Sequence, residues 1–272
     1  MRVRIVTINV WNLDGDPRRQ AVLNGELRRL QPDLLALQEV IQMPGHDQLA
    51  DLLADTGLHG SHQTDFLRYT PPYVDRYGGT AFASRWPHRI VEVLDLRVAD
   101  ASDVHPWCTL AAVVDLPHLG EMLFISTTLS PGAREAARER QVAIIGDLEA
   151  RHRQILPSIV AGDLNAPPEA SSIRFLSGHH SIGGQSARFN DAWTSAGVGP
   201  GYTWTSQNPN ATQAPGPGQR IDYVFIGAAS LHPSARYRVE NATLAFDCDS
   251  HDVVWPSDHL GLVVDIEVSR SA

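Results

Sequence analysis

The chain has 272 residues, 43% of them apolar, a formal charge of −9 at pH 7 and two cysteines, Cys108 and Cys248. That length and apolar content suffice for one large core, so a single domain over residues 1–272 is expected, and two cysteines without CxxC spacing exclude a disulfide framework and a zinc ribbon. All 22 basic residues are Arg, spread along the chain as in a protein of a GC-rich genome. The acidic balance argues against a general nuclease, whose non-specific affinity comes from neutralising phosphates.

In chain order, Val3–Asn9 is a short apolar run closed by Asn9 and reads as a strand, not as a secretory leader. Asp16-Pro17 opens a helix with Ala21, Leu23, Leu27 and Leu30 on one side, and Gln31-Pro32 stops it. Strands follow at Leu34–Val40, Thr80–Ser84, Leu110–Val114 and Met122–Thr127. A second helix runs from Arg134 to about His152 on a stripe of Ala137, Val142, Ile145 and Leu148. Ser158–Ala161 is a strand, and a short helix runs from Pro168 through Phe175. Residues 178–218, rich in Gly, Ser, Asn and Pro, are too long for an ordinary connection and form loops around a site. Ile221–Ile226 and Leu262–Val268 complete the strands. This order fits two packed sheets with helices on their outer faces. No apolar run approaches the roughly 20 residues that span a bilayer, which predicts a soluble, cytoplasmic protein.

The chemistry sits where these strands end. Asn9 closes Val-Thr-Ile-Asn-Val-Trp, Glu39 closes Leu-Ala-Leu-Gln-Glu-Val, and Asp163 and Asn165 close Val-Ala-Gly-Asp-Leu-Asn, with Gly162 letting the backbone bend. Asp222 lies within the apolar run Ile221–Ile226, where a buried carboxylate needs a partner and a His is the cheapest one. Asp258-His259 sets a carboxylate beside a group that changes charge near neutral pH. Strand ends aim side chains into a shared cleft, and carboxylates with amide oxygens suit a hard divalent cation. Asp247–Asp252 and His179-His180 read as surface loops, Cys108 and Cys248 as free thiols, and Trp107, Trp204 and Trp255 as packing residues.

Taken together, the order, spacing and flanks of these motifs resemble the endonuclease/exonuclease/phosphatase superfamily, which includes deoxyribonuclease I, abasic-site endonucleases, neutral sphingomyelinases and inositol polyphosphate 5-phosphatases. The likeness runs from Thr7–Trp11 to Ser257–Gly261 and includes Gly78–Pro87, Asp191–Trp193 and Arg220–Phe225; the chain reads as a bacterial member. The resemblance implies a four-layer α/β/β/α sandwich of two mixed sheets flanked by helices. It also implies that Glu39, with Asn9 and Asp258 nearby, holds Mg²⁺ or Mn²⁺. Asp163 would orient or deprotonate the attacking water, Asn165 would help to place the phosphate, and His259, oriented by Asp222, would stabilise charge on the phosphoryl oxygens.

One position departs from the pattern. Many members carry a His in a Thr-His-Leu segment where this chain has Thr127-Thr128-Leu129, and a threonine cannot carry positive charge or act as a general acid near neutral pH. Abasic-site endonucleases use Tyr there. A replacement acid is sought among His105, His62, Tyr69, Tyr73 and Arg76, and Thr128→His is expected to raise turnover if that position faces the phosphate. Three readings follow: a metal-dependent phosphodiesterase or phosphatase on a small or lipid-derived phosphoester; a nuclease or DNA-repair endonuclease of the same mechanism; and a non-hydrolytic ligand-binding or biosynthetic protein that kept the fold.

Overall fold

The computed structural model describes residues 1–67, 75–99, 105, 107–248 and 254–271. Tyr69 and Tyr73, and positions 249–252 of the acidic stretch, lie outside the described residues. The first half of the chain holds β1 (Arg2–Asn9), α1 (Arg19–Leu30), β2 (Leu34–Val40), β3 (Gln42–Met43), β4 (His46–Asp47), α2 (Gln48–Leu53), β5 (His59–His62), β6 (Gly79–Ser84) and β7 (His88–Asp95). After these come β8 (Cys108–Leu116), β9 (Gly120–Thr128), α3 (Glu135–His152), β10 (Ile159–Asp163), α4 (Ser171–Leu176), β11 (Phe189–Asp191) and α5 (Ala192–Ala196). The chain closes with β12 (Trp204–Thr205), β13 (Gly218–Gln219), β14 (Asp222–Gly227), β15 (Ala235–Ala245) and β16 (Gly261–Arg270).

Two six-stranded sheets result, in the orders β15-β16-β1-β2-β6-β5 and β11-β14-β10-β9-β8-β7. Each contains one parallel pair bridged by a helix, β1 with β2 through α1 and β9 with β10 through α3; the other pairings are antiparallel. Alternation along the strands builds the layers. Ile5, Leu34 and Ala36 enter the core between the sheets with Phe82 and Phe124. Their neighbours Val6, Leu35 and Leu37 face outward beneath Leu23, Leu27 and Leu30 of α1. The other sheet packs its outer face on Val142, Ile145 and Leu148 of α3. The expected α/β/β/α sandwich is therefore observed. Removing a stripe residue such as the buried Leu27 by Leu27→Ala would cost about 2–5 kcal/mol.

Several boundaries differ from the sequence reading. Helix α1 starts at Arg19, not at Asp16-Pro17, because the Asp16 carboxylate accepts from its own neighbour Arg18 N in a turn. The third helix begins at Ser171, three residues beyond Pro168. Strands β7 and β15 were not anticipated: both are edge strands with mixed polar and apolar faces, the composition that protects an edge from further pairing. Short α2 and β5 also lay below the pattern. Within 178–218, β11, α5 and the β12-β13 pair interrupt the expected loops.

Candidate active site

The parallel pairs of the two sheets end on the same side. Asn9 and Glu39 stand at the ends of β1 and β2, Thr128 and Asp163 at the ends of β9 and β10. Strands running the other way bring Asp222 to the start of β14 and Asp258-His259 to the approach of β16. Glu39, Asp163, Asn165, Asp258 and His259 line one cavity of about 620 Å³. The backbone at the rim is bent. Glu39 itself has φ +59°, with Trp11, Asn12 and Asn165 also left-handed, a cost of order 1–3 kcal/mol per residue that concentrates at functional clefts. Gly78 accommodates the turn at Glu39, since a Cβ there would lie 2.4 Å from the Glu39 carbonyl carbon.

Asn9 ties the two sheets together. Its amide nitrogen donates to Glu39 Oε1 at 3.1 Å and to Asp163 Oδ2 at 3.2 Å, while its oxygen accepts from Trp11 N at 2.9 Å. Asn9 thus meets the acids with its donor end. A second amide, Asn12, donates to Glu39 Oε2 at 3.1 Å. Sequence reasoning passed over Asn12; the polar Asn9-Val-Trp-Asn12 stretch beyond a strand end was the available signal.

On the second sheet, Asp163 accepts from Asn165 N at 2.9 Å and from the Asn165 amide at 3.1 Å. The same amide nitrogen donates to Leu129 O at 2.9 Å. Both Asn165 amide hydrogens are therefore engaged within the protein, on Asp163 and Leu129, while the residue lines the cleft where a phosphate contact is expected of it. Asp163 and Asp222 are direct ladder partners, an arrangement of like charges that needs a cation nearby. His259 provides it: Nδ1 lies 2.9 Å from Asp222 Oδ2, and Nε2 lies 4.0 Å from Asp163 Oδ2. Among the described residues, Asp222 Oδ1 is buried without a hydrogen-bond partner.

Electrostatics follow from this burial. Burial, then the Asp258 charge, pushes Glu39 up to about 7. Burial, then the facing Asp222, pushes Asp163 up to about 7. Asp258 is also raised, again chiefly by burial. For His259 burial favours the neutral ring, but Asp222, Asp258 and Asp163 outweigh it and hold the imidazolium well above its ordinary range. The cluster carries more buried carboxylate than its own cation can neutralise. Oxygen donors of this kind fit a hard divalent ion. Ligand atoms of Asp163, Asp222 and His259 lie within 4.8 Å of one another, so this trio is a second place where positive charge could be held.

The other sequence candidates separate by position. Thr128 is 3% exposed and sits beside Asp163 in the ladder, its hydroxyl 3.4 Å from that of Thr80. His62 is buried behind Val40, with Nε2 on the Val40 carbonyl and Nδ1 on Thr64, and does not line the cleft, so it is not the missing acid. Arg76 is exposed beside Tyr77. His105 lines the cleft, its ring 4.7 Å from Trp107 in a stack and 4.2 Å from Tyr77. Trp204 and Trp107 line the same space, so two rings read as packing residues border the site. Cys108 is buried, and the partly buried Cys248 donates its Sγ hydrogen to the Val254 carbonyl.

Comparison with known proteins agrees with this fold. D. rerio TDP2 complexed with single strand DNA product superposes with a TM-score of 0.73 at 19% identity, over 98% of this chain and 99% of that one. The human Nocturnin catalytic domain with bound sulfate anion gives 0.69 at 21% identity, over 98% and 95%. An endonuclease/exonuclease/phosphatase from Beutenbergia cavernae gives 0.68 at 22%, over 98% and 72%. No curated protein sequence matches. The profile of the Endonuclease/Exonuclease/phosphatase family matches residues 6–259, and the chain belongs to that family.

Proposed function

We propose that the chain is a divalent-cation-dependent hydrolase of phosphate esters, acting as a phosphodiesterase or phosphatase. The observation that carries this reading is the set of buried acids, with Glu39 and Asp163 both pushed up to about 7 in one cleft with a charged His259. Glu39 and Asp258, with Asn9 beside them, would hold Mg²⁺ or Mn²⁺, whose positive charge would stabilise the phosphoryl oxygens as negative charge grows. Asp163, oriented by Asn165 and Asn9, accepts a proton from the attacking water, and a carboxylate near 7 is well matched to that work. His259 Nδ1–H is fixed on Asp222, which aims Nε2–H at a phosphoryl oxygen. That nitrogen is 4.0 Å from Asp163, too far for a hydrogen bond, so it is left to a ligand.

Among the described residues no acid occupies the place of the replaced His, which favours a substrate with a good leaving group. Of the described candidates, His105 borders the cleft. The mouth also includes Trp11, Tyr77 and Trp204 with the amides of Asn210 and Gln213. Flat rings and amides suit a planar, polar group better than an acyl chain, which needs continuous aliphatic surface. This favours a small ring-bearing phosphoester over a lipid-derived one. It also supports a second reading, a nuclease or repair endonuclease, which the charge of −9 weighs against.

The test is turnover of bis(p-nitrophenyl) phosphate with Mg²⁺ or Mn²⁺. Hydrolysis that is abolished by EDTA and by Asp163→Ala supports the proposal. A folded protein that binds phosphate without turnover under either ion would instead support the non-hydrolytic reading.

A further inference from the structure

Arg19 is 1% exposed, yet it carries no ion pair among the described residues. Each of its five N–H groups meets a different main-chain carbonyl. Nε donates to Asp14 O at 2.6 Å, Nη1 to Val10 O at 2.7 Å and Pro256 O at 2.8 Å, and Nη2 to Trp11 O at 2.6 Å and Asn12 O at 2.8 Å. The guanidinium lies 5.0 Å from the centre of the Trp11 ring. That ring rests on Gly15, where a Cβ would come within 2.5 Å of it. Residues 10–14 thus wrap around one planar cation.

The carbonyls belong to two separate stretches. One follows Asn9 and carries Asn12, the amide that donates to Glu39. The other ends at Pro256, two residues before Asp258, and is joined to the first by Ser257 Oγ donating to Asn9 O at 2.6 Å. Trp11 and Asn12 both have positive φ, so this loop does not hold its shape by backbone preference alone. A buried guanidinium without a bonded carboxylate is costly; burial is the larger influence on Arg19, and the nearby Asp258, Asp14 and Glu39 offset only part of it, while five carbonyls satisfy its donors.

We propose that Arg19 is a positioning residue, the template on which residues 10–14 and 256–258 set, and that through them it places Asn12, Glu39 and Asp258 for a divalent cation. This rests on the cation-dependent reading above for its second half only. Sign separates this role from a purely electrostatic one. A positive charge close to the site repels a bound cation, so removing it would tighten binding if the field were all that mattered. Loss of a template weakens binding, by about 10–100-fold as for outer-shell partners generally.

The experiment compares Arg19→Lys, Arg19→Gln and a distant control, Asp265→Asn, in the full chain. Two quantities are measured: backbone hydrogen exchange at 10–14 and 254–258, and the Kd for Mn²⁺ by calorimetry. Both Arg19 variants are expected to speed exchange in the two stretches while β1 and β2 stay protected, and to weaken Mn²⁺ binding about 10–100-fold. Lysine keeps the charge but has three donors on one atom and cannot reach five carbonyls, so it should not rescue. Unchanged exchange in both stretches, tighter Mn²⁺ binding in Arg19→Gln, or an equal loss in the control would overturn the proposal. If the unaltered chain binds no Mn²⁺ while the stretches loosen in the Arg19 variants, the template stands and the cation-dependent reading falls.

Discussion

The two sheets bring the same device to the cleft and finish it differently. In each, a helix-bridged parallel pair ends in polar residues, Asn9 and Glu39 on one side and Thr128 and Asp163 on the other. At Glu39 the backbone itself turns left-handed and two amides, Asn9 and Asn12, hold the carboxylate. At Asp163 the ladder pairing runs unbroken to the strand end although Gly162 has φ +151°, the left-handed non-glycine residue comes two positions later at Asn165, and another acid faces Asp163 across the ladder. The first sheet therefore presents a carboxylate on a bent rim, open to an ion. The second holds its carboxylate in a rigid pair whose charge is managed by His259. Under the proposed function, the same topology would supply a cation ligand on one side and a base on the other, with the bends at different residues.

Substitutions can break that contrast. The largest effect is expected on the second sheet: Asp163→Asn should lower kcat by about 10²–10⁴-fold with little change in KM, read by steady-state kinetics on the chromogenic diester. Asp222→Asn, which removes the negative charge that holds the His259 imidazolium, should lower kcat by about 10²-fold; an unchanged kcat would remove Asp222 from the mechanism. On the first sheet, Glu39→Gln should weaken Mn²⁺ binding while leaving the fold intact, since it removes a buried charge that lies near Asp258. The expected signature is a smaller Mn²⁺-induced rise in Tm than in the unaltered chain.

Smaller effects sharpen the comparison. Gly78→Ala should cost about 1–3 kcal/mol, because its φ is +65° and the new Cβ meets the Glu39 backbone; urea unfolding measures it. Thr128→His, expected from sequence to raise turnover, is now expected to lower stability by about 1–3 kcal/mol without gain, since the position is 3% exposed and packed on Thr80. A rise in kcat would return that position to the phosphate. The smallest effect lies at the far end of β1. Burial would raise the Asp265 carboxyl, but hydrogen bonds from Arg4 and Arg2 win and hold it below its ordinary value. A depressed acid stabilises the fold above its unfolded pKa and loses that contribution as pH falls through the folded one. Because both arginines are partly exposed, the contribution is about 1 kcal/mol, and Asp265→Asn should flatten the acid limb of a Tm-against-pH curve below about pH 4.

Much of this was legible beforehand for a physical reason. Local periodicity reports burial, so the strands carrying Ile5, Leu37 and Val224 and the helix carrying Leu23 and Leu27 stood out, and polar residues ending such runs marked Asn9, Glu39, Asp163 and Asp222. The edge strands β7 and β15 did not stand out, since half-exposed strands mix polar and apolar residues. Asn12, Arg19 and the ring-lined mouth left no periodic trace, because their roles depend on carbonyls and side chains far away in the chain.

What the order of residues determined by itself is the inventory: two helix-bridged strand pairs, acids and amides at their ends, and a Thr where a His is common. What tertiary structure alone decided is convergence and charge. Asn9 reaches Asp163 across 154 positions of chain, Asp163 meets Asp222 through strand register, and burial between two sheets lifts ordinary carboxylates to about 7. Proton affinity is a property of surroundings, and the surroundings here are assembled from both sheets at once.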